Sequence, residues 1–130
     1  LRQVLEVDPS QASTWNDLGL IVEQQGRVDE ARRHYEKALQ ADPGLWQAWI
    51  NLGVSAGRQQ DWTRAADYLE QALKVAPEQH DLHLELADLY AGRLNRPDLA
   101  RNHLSAFLSV APNDPRVAMV RQRLNQLPDR

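Results

Sequence analysis

His80, Asp81 and His83 stand together in the second half of the chain, two imidazoles at i and i+3 with a carboxylate between them. On a helix that spacing can bring two rings to one metal ion. His83, however, occupies a position that elsewhere in the chain is a core tryptophan, and it points away from Asp81, so no metal and no cofactor are expected. No G-x-S-x-G elbow, phosphate loop or zinc-protease motif is present, and the carboxylates are scattered over helix surfaces without a cleft to shift their pKa values. The expectation is a chain without catalytic residues, not an enzyme. His34 and His103 read as surface residues, and Trp46 and Trp62 as helix-opening residues that pack at junctions.

Something must position these residues, and composition bounds what it is. The 130 residues are 42% hydrophobic and 25% charged, enough for one modest folded unit. The formal charge is −3 and no run of Lys and Arg occurs, so no phosphate-tracking surface and no nucleic-acid partner are expected. No apolar stretch approaches the length of a membrane span, so no membrane contact is expected from this segment. With no cysteine, disulfide, Cys-zinc and thiol chemistry are excluded within it.

The organising signal is internal repetition. The chain reads WNDLG at 15–19 and WINLG at 49–53, the same frame 34 residues apart. Trp15, Leu18, Gly19, Val22, Ala31, Tyr35, Ala38 and Pro43 return as Trp49, Leu52, Gly53, Ala56, Ala65, Leu69, Ala72 and Pro77. A third pass gives His83, Leu86, Ala87 and Tyr90. After one extra residue, assigned to the RLNRPD connection, it continues with Ala100, Leu104, Phe107 and Pro112. Run backward from Pro9, the frame makes Leu1 and Val4 the end of a truncated copy, as in a piece cut from a longer protein.

Each copy reads as a helical hairpin. Trp15, Leu18, Gly19 and Val22 lie at i, i+3, i+4 and i+7, one face of a helix that should end at Gly26. Helical spacing resumes from Val28 to Ala41, and Pro43 then removes a donor and pushes Asp42 out of helical geometry. Gly19, Ala31 and Ala38 let two helices approach closely while Trp15 and Tyr35 fill the space beside them. One hairpin cannot bury that face alone, so copies stack. Asp114-Pro115 should open a last helix, with Val117, Val120, Leu124 and Leu127 on its packed face and Arg116, Arg121, Gln122 and Arg123 on its wet one.

These residues resemble the tetratricopeptide repeat: W, LG, Y, then A, F/Y, A and a closing P over 34 residues. His83 for Trp, Ala87 for Gly and Phe107 for the small Ala are the third copy's departures. The resemblance implies an all-α chain, a right-handed α-solenoid of antiparallel hairpins with three repeats and a C-terminal capping helix. Its parts are 1–9 (end of a preceding repeat), 12–45, 46–79, 80–114 and a cap at 115–127, all in one domain.

On the first helix of each copy, the side opposite the core carries Ser13, Asn16, Asp17, Leu20 and Gln24, then Gln47, Ile50, Asn51, Val54 and Arg58, then Asp81, Leu84, Glu85, Asp88 and Gly92. Leu20, Ile50, Val54 and Leu84 form an apolar thread through a face that should be polar if it were only solvated. The resemblance implies that such first helices line a groove for an extended or helical peptide. Relatives that bind acidic C-terminal tails do so with a clamp of Lys, Asn, Asn, Lys and Arg. The matching places here are Asn16, Leu20, Asn51, Asp81 and Glu85, and only Asn51 agrees. With Asp88 one turn on, an acidic tail should be repelled.

The expected peptide-binding set is Asn16, Asp17, Leu20, Ile50, Asn51, Val54, Asp81, Leu84, Glu85 and Asp88. The expected partner is a protein or peptide with apolar anchors and basic or neutral character, bound by an adaptor or scaffold. The alternatives are a substrate-recruiting arm of a larger enzyme and a self-association module.

Overall fold

The computed structural model describes residues 10–128, so the expectation for residues 1–9 lies outside the described residues. Among the described residues seven α-helices run in the order α1 (Ser10–Gln24), α2 (Val28–Ala41), α3 (Trp46–Arg58), α4 (Trp62–Val75), α5 (Asp81–Asp88), α6 (Pro97–Val110) and α7 (Val117–Gln126). No strand occurs among the described residues, and none of their helices is long and apolar enough to cross a membrane. The chain forms two compact units, one ending at Ala76 and the other beginning at Pro77.

In the first unit α1 pairs with α2 and α3 with α4, and α2 packs on α3. The turn after α1 needs positive φ, and Gly26 supplies it at +85°. The equivalent turn after α3 puts Gln60 at φ 62°. Asp61 then caps α4, its carboxylate accepting from the Arg64 N–H at 3.2 Å. Trp46 and Trp62 open α3 and α4 and are half-buried, as junction residues should be.

The core of this unit joins Val22 of α1, Ala31 and Tyr35 of α2 and Leu52 of α3, with Leu39, Trp49 and Tyr68 packed against it. Leu52 is thus buried by the hairpin that precedes its own. Its counterpart Leu18, expected on the core face, is 39% exposed, because among the described residues no earlier hairpin covers it. The Tyr35 hydroxyl is fixed by donating to Glu23 Oε1 at 2.6 Å. Burial, then the hydrogen bond and charge of Glu23, hold this phenol well above its ordinary pKa, so it stays a donor.

In the second unit α5 pairs with α6, and α7 packs on α6. The extra residue of the third copy lies inside the first helix rather than only in the connection. From Leu89 to Arg93 the helix widens into a π turn, with Leu94 N–H bonding Leu89 O at 2.9 Å across five residues. The chain then leaves through Asn95 at φ 52°, 35 residues after Gln60. Pro97 starts α6, where its missing N–H is no loss. The last helix begins at Val117 rather than 115. Before it, Asp114 accepts from the backbone N–H of Arg116 at 2.9 Å and orders the turn.

His34 and His103, expected at the surface, are half-buried. His34 stacks on Trp15 at 5.5 Å, and His103 stacks on Tyr90 at 5.7 Å while its Nδ1 lies 2.9 Å from that of His83. The same pair of sites gives Trp49 with Tyr68 in the second copy, centroids 6.1 Å apart. Where the first-helix aromatic is replaced by His83, a second histidine supplies a polar partner for its partly buried ring nitrogen.

Candidate functional site

In the first unit the apolar candidates remain accessible. Leu20 is 38% and Val54 42% exposed, Ile50 is half-buried, and Asp17 is exposed. Asn16 is 8% exposed, because it accepts from Asn51 Nδ2 at 2.8 Å. The two asparagines therefore hold α1 to α3 and fix each other's orientation between the apolar side chains. Seven residues on, two helical turns, Arg58 donates to Glu23 Oε2 at 3.0 Å. Glu23 thus ties Tyr35 of the core to the neighbouring first helix.

The second unit repeats this arrangement with charges. Arg116, just before α7, donates to Asp81 at 2.7 Å and Arg123 to Asp88 at 2.6 Å, again with each pair of positions seven residues apart. Both arginines, expected on a wet face, are instead engaged by α5. Arg116 also holds Asp114 at 2.9 Å and lies 5.3 Å over the Phe107 ring. Leu84, expected in the apolar thread, is only 9% exposed and packs instead of projecting. Glu85 remains exposed between the two paired acids, while Gly92 falls in the π turn.

These four bonds between a first helix and the segment one copy on join residues 35 apart: 16 with 51, 23 with 58, 81 with 116 and 88 with 123. This signal is in the sequence, as an acid at i and a base at i+35 in three of the pairs and as two asparagines in the other. It was missed because comparing copies aligns like with like at 34, whereas contact falls between unlike neighbours.

Two carboxyl groups respond oppositely to this setting. Glu85, although its side chain reaches solvent, has its pKa raised first by partial desolvation of its carboxyl group, then by the charges of Asp81 and Asp88. Its folded value lies above its unfolded one, so ionised Glu85 opposes folding at neutral pH and the cost disappears in acid. Asp114 is held well below the carboxylate range by the side-chain and backbone hydrogen bonds of Arg116. Its contribution is full above roughly pH 4 and is lost as pH falls through its lowered value. Glu85→Gln should therefore raise the thermal midpoint at pH 7 and leave it unchanged near pH 3. An equal rise at both would show that charge is not the cause.

Stacked helical hairpins with short turns, small residues at the helix crossings and exposed first-helix side chains define a helical-repeat protein. Two tetratricopeptide repeat profiles match, over residues 10–78 and 52–125. The chain belongs to the tetratricopeptide repeat family. Among solved structures it is similar to the N-terminal domain of stress-induced protein-1 from C. elegans, at 20% identity and TM-score 0.78, covering 91% of this chain and 97% of that one. The first tetratricopeptide repeat domain of Spaghetti (RPAP3), bound to the HSP90 peptide SRMEEVD, matches at 20% identity and TM-score 0.70, with 92% and 98% covered. The Cut9-Hcn1 hetero-tetramer of APC/C gives 25% identity and TM-score 0.67 over 92% of this chain and 23% of that one. Comparison with curated proteins gives no match.

Proposed function

We propose that this chain is a protein-interaction module whose first helices hold a peptide or helix of a partner, with apolar anchors and basic or neutral character. The observation that carries this reading is the exposure of Leu20 and Val54 on helices locked together by Asn16 and Asn51. Exposed aliphatic side chains on a rigid, polar-framed surface supply anchoring area without an ordering cost. Asp17 and Glu85 supply negative charge on the first helices, and Glu85 lies outside the arginine bonds that neutralise Asp81 and Asp88. The RPAP3 domain is bound to a peptide ending EEVD. At the places matching the clamp for such tails this chain has Asn16, Leu20, Asn51, Asp81 and Glu85, so an acidic tail is disfavoured.

The test is a peptide-array selection with the parent chain, followed by affinities for the best peptide in Leu20→Glu/Val54→Glu and Glu85→Lys. The double variant should weaken binding roughly 10- to 100-fold through lost apolar contact. Glu85→Lys should weaken basic peptides several-fold and more at low salt. Selection of acidic peptides, or affinity unchanged in the double variant, would overturn the reading. Leu84 is left alone because a charge there would test folding.

A further inference from the structure

On the side of α3 roughly opposite Asn51 and Val54, the first unit carries an open notch lined by Glu36, Leu39 and Gln40 of α2, Trp49 and Leu52 of α3, and Tyr68 of α4. Its floor is the apolar core, and its walls are two half-buried aromatic rings tilted 36° to each other. The Trp49 indole is held in place, its Nε1–H donating to Pro43 O at 3.1 Å. Among the described residues the lining holds one charged group, the exposed Glu36 carboxylate.

From this geometry we infer that the notch is a second contact point, taking an arginine or lysine side chain from a partner polypeptide. An alkyl stem suits the Leu39 and Leu52 surface, while a cation at its end meets the negative faces of Trp49 and Tyr68 and the carboxylate of Glu36. One copy earlier, the chain places a cation on the equivalent ring. In the first copy the Lys37 ammonium lies 5.2 Å over Trp15, the counterpart of Trp49. The residue 34 after Lys37 is Gln71, so the second copy brings no lysine of its own to that place. A neutral apolar occupant would leave Glu36 unused, and an anion would be repelled by it.

The inference stands apart from binding at Leu20 and Val54, and its test does not involve them. Nα-acetyl-arginine N-methylamide is titrated into the chain while the Trp49 indole N–H is followed by NMR, that resonance being assigned with Trp49→Phe. The citrulline analogue, equal in shape and without charge, is the control. Saturable shifts of the Trp49 and Tyr68 signals are expected with the arginine compound only. Glu36→Gln should weaken binding roughly two- to fivefold, as should raised salt. Shifts that fail to saturate, that citrulline reproduces, or that survive Glu36→Gln unchanged would overturn the assignment.

Discussion

Phe107→Ala lowers the unfolding free energy by about 3–5 kcal/mol, the largest loss expected from a single truncation in the second unit. Phe107 is fully buried, and its ring lies 5.6 Å from that of His80 and beneath the Arg116 guanidinium at 5.3 Å. The corresponding sites one copy earlier are Trp46 and Ala72, so the third copy exchanges large and small across this contact. Truncation leaves a cavity that His80 is too small to fill, and it removes the surface on which Arg116 rests while bridging Asp81 and Asp114. Urea unfolding measures the loss, and amide exchange in α5, α6 and α7 should locate it. A loss below about 1 kcal/mol would mean that the site collapses easily or that Phe107 adds little packing. Phe107→Leu, which keeps much of the volume, should cost markedly less.

Gly19→Ala should destabilise by about 2–4 kcal/mol, although alanine is the better helix former by about 1 kcal/mol. A Cβ at Gly19 would lie 2.4 Å from Tyr35 Cε1 and 2.6 Å from Cδ1. The ring cannot turn aside without breaking its 2.6 Å bond to Glu23, which Arg58 also holds. At Gly53 the nearest atoms are Leu69 Cδ2 at 3.1 Å, Leu69 Cγ at 3.2 Å and the Ala65 carbonyl oxygen at 3.3 Å, so a methyl group there needs shifts of only a few tenths of an ångström. Gly53→Ala should therefore be nearly neutral. The third copy already carries this solution, with Ala87 and Leu104 both fully buried at the same two sites. Accordingly Gly19→Ala/Tyr35→Leu should cost less than the sum of its parts, with a coupling of about 1–2 kcal/mol by urea unfolding. Equal losses at Gly19 and Gly53, or strict additivity, would show that the close approach to the Tyr35 ring is not what requires glycine.

The repeat frame makes most of the fold legible in the sequence. Helix existence, the turn at Gly26, the hairpin order and the buried Ala31, Tyr35, Ala38, Ala65, Leu69, Ala100 and Leu104 follow from spacing and residue size, because a helix that must pack repeats its large and small residues at fixed intervals. The extra residue was also legible, though not its place. Nothing in the local sequence of Leu89 to Arg93 separates a longer loop from a π turn, and the choice rests on where α6 must begin to pack on α5.

For the candidate site the division falls between which residues share a helix face and which of them are taken by neighbours. Helical periodicity alone determined that Asn16, Leu20, Ile50, Asn51, Val54, Asp81, Leu84, Glu85 and Asp88 lie on one side of their helices. Only the tertiary structure decided that Asn16 and Asn51 bind each other, that Arg116 and Arg123 engage Asp81 and Asp88, that Leu84 is buried, and that Leu20 and Val54 are left to solvent. The reason is physical. A face is set within one helix by 100° per residue, whereas occupancy depends on which side chain of an adjacent helix comes within about 3 Å, a property of stacking that no single copy of the repeat contains.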